Sequence, residues 1–97
     1  MYDLLFTPDA DMDLESLRRN EQVAAIAAIE ANLRHEPTAE TRNRKRLRPN
    51  PVADWELRAG RLRVLYNVEE DAHLVQIEAV GLKAGNLLFV RGRRTEL

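Results

Sequence analysis

The residues with the clearest chemical potential are arginines and lysines, and they concentrate in one part of the chain. Residues 42–63 hold eight basic and two acidic side chains, whereas residues 1–41 hold three basic and nine acidic ones. Clustered cations attract phosphate groups, so the basic segment is a candidate contact for nucleic acid. A solvated surface loop would carry the same charges without binding anything, and that alternative stays open.

Six cations of this segment are interpreted as nucleic-acid-binding side chains. Contact with a phosphate backbone requires exposed cations rather than a folded motif, and prolines at positions 37, 49 and 51 favour an exposed connection. The six are Arg42, Arg44, Lys45, Arg46, Arg48 and Arg58. The formal charge of the whole chain is -1, which argues against a general RNA-binding module.

Length and composition restrict the class of protein. Ninety-seven residues, of which 44% are hydrophobic, fit a single domain spanning residues 1–97. The chain has no cysteine, which excludes disulfides, thiolate metal sites and a cysteine nucleophile. No stretch approaches the roughly 20 apolar residues that span a bilayer, and no signal peptide is visible. We therefore expect a protein of the cytoplasm with no membrane partner.

Four aromatic and imidazole side chains are candidates for chemistry, and each has a structural alternative. Trp55 lies on an alternating strand pattern and is predicted to belong to the core rather than to stack on bases. The phenol of Tyr66 is interpreted as structural in preference to proton transfer. His35 and His73 have no partner at metal-ligand spacing, so neither a metal site nor a cofactor is expected.

The elements that position the cations begin with a short strand and two helices. The apolar run at residues 2–6 is typical of a strand, and Thr7 followed by Pro8 marks the start of a helix. Apolar residues at helical spacing continue to Pro37, which predicts a second helix and a helical hairpin. Negative charge at the positive end of the first helix comes from Asp9, Asp11 and Asp13.

The second half of the chain has the patterns of strands. Two alternating runs, residues 54–58 and 62–68, meet at Ala59 and Gly60 and predict a β-hairpin with one buried face. Residues 74–80 are rich in valine and isoleucine and predict a third strand, which ends at Gly81. Residues 87–90 add a last short strand or a helical turn, and the tail after Gly92 is expected to be loose.

This order of elements predicts one α+β domain. It comprises an N-terminal strand, a two-helix hairpin and an antiparallel β-meander, with both helices packed on one face of the sheet. The opposite face would then be open and concave. Three arginines leave the predicted hairpin and one lysine follows the third strand, so we expect them to converge on the open face. These cations are Arg58, Arg61, Arg63 and Lys83.

Two stretches of the second half resemble toxins of the RelE/ParE superfamily from type II toxin–antitoxin systems. They are WELRAGRLRVLYNV at residues 55–68 and VQIEAVGLKAGN at residues 75–86. The segments LFTPDA at 5–10 and LRPNP at 47–51 fit the same family, so the resemblance covers nearly the whole chain. It implies a RelE-like fold.

The resemblance also implies an activity. RelE-like members are metal-independent endoribonucleases, or mRNA interferases, that cut messenger RNA in the ribosomal A site. The substrate's 2'-hydroxyl attacks the adjacent phosphate, which requires a base, an acid and cations that stabilise the transition state. Arg63 matches the family's transition-state arginine, and Lys83 lies where RelE has another functional basic residue. With Glu56 as candidate base and Arg61 as a further phosphate ligand, these residues form the expected catalytic set.

Departures from the family pattern leave three functions open. Asp54 and Glu56 stand where RelE has two lysines, and Phe89 stands where it has a catalytic tyrosine. The first function is a nuclease with different acid–base residues. The second is a ParE-like toxin that binds DNA gyrase without cutting RNA. The third is an attenuated toxin fold that serves as an RNA-binding module.

The partners follow from the same resemblance. The ribosome and messenger RNA are the expected targets, or DNA gyrase under the second function. A cognate antitoxin is expected to fold an acidic segment over the toxin and hold it inactive. The free toxin is expected to be a monomer.

Overall fold

The chain leads from an N-terminal strand through two helices into a series of antiparallel strands. This computed structural model describes residues 1–85, 87–90 and 93–95. The predicted α+β class is confirmed. The elements are β1 (Asp3–Phe6), α1 (Pro8–Ser16), α2 (Arg19–Leu33), β2 (Arg44–Arg46), β3 (Trp55–Ala59), β4 (Leu62–Glu69), β5 (Leu74–Ala84), β6 (Leu87–Val90) and β7 (Arg93–Thr95).

The strands form one mixed sheet. Its order is β2-β3-β4-β5-β6-β7, with antiparallel neighbours throughout. Because β4 occupies one edge of β5, the other edge is shared: β1 pairs there in parallel with residues 74–77, and β6 pairs with residues 81–84.

Three expectations about the strands are wrong. The basic connection was expected to be irregular, yet it contains β2, paired with β3. The third predicted strand does not end at Gly81, because β5 continues to Ala84. The tail after Gly92 was expected to be loose, but its residues 93–95 pair with β6 as β7. Of the two alternatives for residues 87–90, the strand is present as β6.

A two-residue turn sets the register of the β3–β4 hairpin. Ala59 pairs with Leu62, and Gly60 between them has φ of 59°. A positive φ at the first central position is typical of the turns whose twist matches antiparallel strands, and glycine adopts it without steric cost. The predicted hairpin is therefore confirmed, but its turn consists of Gly60 and Arg61 rather than of Ala59 and Gly60, because Ala59 still pairs within the sheet.

Both helices contact one face of the sheet. The helix α1 contacts β5 and β1, and α2 contacts β3 and β4. Thr7 caps α1 as predicted, since its Oγ1 accepts a hydrogen bond from the Ala10 amide at 3.1 Å. The core between helices and sheet includes buried Ile29, Leu57 and Ile77.

Two predictions for aromatic residues are confirmed in this core. Trp55 is buried there. Tyr66 is fully buried and its hydroxyl donates to the Pro37 carbonyl oxygen at 2.7 Å. Burial raises the pKa of the phenol, which suits a neutral structural donor and not a proton-transfer group.

The opposite face carries a smaller apolar core. Leu65 and Ala79 are buried at its centre, and Leu88 and Val90 of β6 pack against them. Leu47 and Val52, from the connection between β2 and β3, add partly buried contacts. This face is therefore only partly open. None of the helices in the described part of the chain is long and apolar enough to cross a membrane.

Candidate functional site

Two arginines lie directly opposite each other on the face that the helices leave uncovered. Arg58 of β3 pairs in register with Arg63 of β4. Like charges that face each other across antiparallel strands destabilise a sheet. Glu56, two residues before Arg58 on the same face, offsets part of this repulsion: its Oε1 accepts from Arg58 Nε at 2.8 Å. Glu56 is buried despite its charge.

The guanidinium of Arg63 is held against the hairpin turn. Its Nη1 donates to the carbonyl oxygens of Gly60 at 2.6 Å and of Leu62 at 2.8 Å. Its Nε is buried and has no hydrogen-bond partner among the described residues. Burial lowers the pKa of Arg63, Glu56 raises it, and Arg58 lowers it further. A negatively charged ligand near the guanidinium would favour its charged form and so counter this lowering of the pKa.

Lys83 joins the two arginines from β5. The residue opposite Arg63 on that strand is Gly81, which brings no side chain between them. Lys83 lies two residues further along β5, on the same face as Gly81, and its backbone amide donates to the Arg61 carbonyl oxygen at 2.8 Å. Arg58, Arg63 and Lys83 therefore lie on the same face of three adjacent strands, and they are termed the cationic cluster.

The edge strand β2 extends this surface. Lys45 pairs in register with Glu56, so the two side chains share the face that bears the cluster. Lys45, Arg58, Arg63 and Lys83 are termed the basic face below, with Glu56 as the acidic residue among them. Its geometry suits an anion larger than a single carboxylate, such as a phosphodiester.

The expectation that Arg61 converges with these cations is wrong. Its Nη2 lies 3.5 Å from Glu21 Oε2 on α2, which places the side chain on the helix side of the hairpin turn. The turn itself causes this difference, because Gly60 and Arg61 are the two loop residues and do not follow the alternation of the strands.

Other predicted phosphate ligands have structural contacts. Arg44 donates from Nε to the Ala39 carbonyl oxygen and from Nη1 to that of Asn32, each at 3.0 Å, and so ties the connection to the end of α2. The Arg46 guanidinium lies 5.5 Å from the ring centroid of Trp55. This cation–π contact accounts for its position without any ligand.

The remaining predicted residues differ in how well they are placed. Arg42 and Arg48 are exposed on the connection around β2, and the Arg48 carbonyl oxygen accepts from Asn50 Nδ2 at 2.8 Å. Asp54 is exposed, and its amide donates to Asn67 Oδ1 at 2.8 Å. The side chain of Phe89 lies outside the described part of the chain. Among described residues, no group of His, Cys, Asp and Glu is arranged to hold a metal ion.

Sequence reasoning missed the role of Asp13. The residue was assigned to the charged start of α1, yet it is fully buried and its Oδ2 accepts from the Val80 amide at 2.9 Å. Its spacing was informative: Asp13 follows buried Ala10 by three residues and therefore lies on the same side of the helix.

Comparison with solved structures gives strong similarity to a toxin–antitoxin protein. No protein-family model matches the chain, and no curated protein sequence does. A solved chain of the toxin–antitoxin complex RelBE2 from Mycobacterium tuberculosis is 28% identical, with a TM-score of 0.75. The match covers 87% of this chain and 93% of that one. The RelE-like fold and the resemblance noted in the sequence are both confirmed.

Proposed function

We propose, on the premise that the chain is a RelE-type toxin as its match indicates, that it stops translation by cutting messenger RNA in the ribosomal A site. The match supports a toxin of a toxin–antitoxin system. The observation that carries the finer proposal is the cationic cluster of Arg58, Arg63 and Lys83 on the uncovered face. The cytoplasm is the place of action that this target requires.

The cluster suits phosphoryl chemistry because its cations repel one another, and an anion bound between them would relieve that repulsion. Directly opposed like charges destabilise a sheet by an amount comparable to the roughly 0.2–1 kcal/mol of favourable cross-strand pairs. A phosphodiester bound between Arg58 and Arg63 would turn that repulsion into two attractions. The 2'-oxygen loses its proton and bonds to phosphorus while the bond from phosphorus to the 5'-oxygen of the next nucleotide breaks, and that leaving oxygen takes a proton from water. Negative charge builds on the phosphate oxygens during this exchange, so fixed cations stabilise the transition state more than the ground state.

Glu56 is the proposed base of this reaction. Its carboxylate accepts from Arg58 and interacts electrostatically with Arg63. To accept the proton of the 2'-hydroxyl, the carboxylate must exchange part of its ion pair with Arg58 for that hydroxyl. Glu56 would thus have two roles, so its replacement would change both the charge of the basic face and proton transfer.

The test uses programmed ribosomes with an open A site and primer extension to locate cuts in the message. Arg63→Ala is expected to reduce cleavage by about 100-fold or more, as loss of a transition-state donor does. Arg46→Ala is the matched control: it removes one positive charge from β2, which is separated from β4 by one strand, and its side chain lies over Trp55. Its cleavage is expected to stay within about threefold of the original chain.

Two results would contradict the proposal. If the chain leaves the message intact, ribosome-dependent cleavage is excluded as its activity. If Arg63→Ala and Arg46→Ala cut equally well, the reaction does not use the basic face.

A second candidate function, inhibition of DNA gyrase, is favoured by the surface of α2. Val23 and Ile26 are 59% and 40% exposed on this helix, and exposed apolar side chains of this size suit a protein partner. A toxin that binds gyrase would inhibit supercoiling of plasmid DNA, and Val23→Glu would weaken that inhibition while Arg63→Ala would not. The ribosome assay described above would then show intact message.

The proposed partner is an antitoxin whose segment folds on the toxin. The basic residues around β2 favour an acidic antitoxin segment. The exposed apolar residues of α2 would add hydrophobic contacts to these ion pairs. Binding should therefore persist at about 1 M salt, where surface ion pairs are screened. Dissociation on raising the salt would instead show that ion pairs hold the complex.

A further inference from the structure

The strand β5 changes halfway along its length which residues face the helices. Val75 and Ile77 belong to the core under the helices, and so do Val80 and Leu82. The helix-facing positions are thus odd in the first half and even in the second. Residue 78 is the cause, since Ala79 pairs with Leu65 and Ile77 with Tyr66 on β4, leaving Glu78 as an extra residue. This is a β-bulge.

The bulge decides the face on which the end of β5 presents its side chains. In a regular strand successive side chains alternate, so Gly81 and Lys83 would face the helices together with Ile77. The extra residue reverses the alternation. It brings Gly81 opposite Arg63 and places Lys83 on the basic face, while Val80 and Leu82 complete the core.

Contacts from α1 hold the bulge. The Thr7 amide donates to the Ile77 carbonyl oxygen at 3.1 Å, and Thr7 Oγ1 donates to that of Glu78 at 3.3 Å. On the other side of the extra residue, the Val80 amide donates to the buried carboxylate of Asp13 at 2.9 Å. A buried carboxylate is costly unless hydrogen-bonded. Val80 lies between the end of the β1 pairing at Ile77 and the start of the β6 pairing at Gly81, so neither strand pairs with that edge of β5 at Val80. The Asp13 carboxylate and the Val80 amide therefore satisfy each other as hydrogen-bond acceptor and donor.

We infer that Asp13 is a positioning residue for the basic face: through the Val80 amide it fixes the bulge that sets Gly81 and Lys83 beside Arg63. Asp13 lies under the sheet, on the helix side, and does not touch the ligand. The catalytic consequence of this inference rests on the proposed function, whereas its structural part does not.

The test compares two substitutions at Asp13 with a control in the same helix. Asp13→Ala removes the acceptor, and Asp13→Asn keeps a neutral oxygen in the same place. Ala10→Gly is the control, because Ala10 is as buried as Asp13 and lies one turn earlier in α1. Nuclear magnetic resonance gives amide exchange at Val80 and Gly81 and the cross-strand proximity of Gly81 to Arg63. Titration with inorganic phosphate, followed on Arg63 and Lys83, gives the affinity of the basic face.

Asp13→Ala is expected to lose amide protection at Val80 and Gly81, to lose the proximity of Gly81 to Arg63, and to bind phosphate about tenfold more weakly. Asp13→Asn is expected to restore all three, with the Val80 amide proton shifted upfield because its acceptor has become neutral. Ala10→Gly should unfold more easily, as glycine within a helix does, while its Val80 and Gly81 signals stay in place.

The results separate this inference from the proposed function. If the original chain binds no phosphate and cuts no message, the proposed function fails, but the exchange data still test Asp13. Unchanged protection and proximity in Asp13→Ala would overturn the inference even if cleavage is present. Should Asp13→Ala fail to fold, Asp13→Asn decides: an upfield Val80 amide with Gly81 protected supports the inference, and an unchanged Val80 amide overturns it.

Discussion

The two faces of the same strands carry side chains of different character. On the helix side, β3 and β4 present apolar residues such as Leu57 and Val64, which are both fully buried. On the other side, Arg58 and Arg63 repel each other, and Glu56 offsets only part of this repulsion. Stability thus comes mainly from one face, whereas the other keeps charges that a stability-optimised sheet would avoid. Because the two faces of the sheet are separate, one face can hold unfavourable charges while the other stabilises the fold.

Substitution of two leucines, one on each face, tests whether the two faces contribute differently to stability. Leu57→Ala is expected to lower the free energy of unfolding by about 4 kcal/mol, because the large core under the helices cannot collapse around the lost atoms. Leu65→Ala should cost about 2–3 kcal/mol, because the smaller core can relax toward solvent. Urea denaturation with a common m-value gives both quantities. Equal costs would mean that both faces stabilise the fold alike.

Much of this separation could be predicted from the sequence, because it rests on local alternation. The patterns around Gly60 place Leu57 and Val64 on one face and Arg58 and Arg63 on the other. The side of Lys83 could not be derived this way. It depends on a bulge held by a hydrogen bond between Val80 and Asp13, which are 67 residues apart.

Contacts distant in sequence explain the other differences. Arg61 was expected on the basic face, but as a turn residue it does not follow the alternation of the strands, and its side chain contacts Glu21 of α2. The strand β2 contains no apolar residue, so no alternation of apolar and polar residues predicts it. Arg44 ties it to the carbonyl oxygens of Asn32 and Ala39, and β3 supplies the edge on which it pairs.

Tyr66 is the polar exception on the helix side, and its removal sharpens the contrast. Tyr66→Phe is expected to lower the free energy of unfolding by about 1–2 kcal/mol, since the Pro37 carbonyl oxygen loses its buried donor. The raised pKa of the phenol also predicts a pH dependence. The neutral form is favoured in the folded chain, so its contribution is complete below the unfolded pKa near 10 and declines as the pH rises above it.

Thermal denaturation of Tyr66→Phe and of the original chain between pH 7 and pH 11 would measure this difference, because this range includes the ordinary tyrosine pKa of about 10. The original chain should lose stability more steeply in the alkaline range. Parallel curves would show that Tyr66 ionises as easily in the folded chain as in the unfolded one.

Gly60 links the two faces because its turn sets the pairing of β3 with β4. Gly60→Ala is expected to cost about 1 kcal/mol, since an alanine at φ of 59° is strained while nothing lies within 4 Å of the added methyl group. The Arg58–Arg63 pairing should persist, and so should phosphate binding. Calorimetry and a phosphate titration would check this. A loss of phosphate affinity much larger than the loss of stability would indicate that Gly60 also shapes the basic face through its contact with Arg63.

The smallest expected effect tests most directly whether the basic face trades stability for binding. Without an anion, Arg63→Gln should raise the free energy of unfolding by about 0.2–1 kcal/mol, because it removes the charge opposite Arg58. Arg58→Gln should not, because the buried Glu56 would lose its ion-pair partner. Phosphate should stabilise the original chain and reverse its rank against Arg63→Gln. If Arg63→Gln is less stable in every buffer, then Arg63 is held mainly by its bonds to Gly60 and Leu62, and the opposed arginines are part of the fold itself.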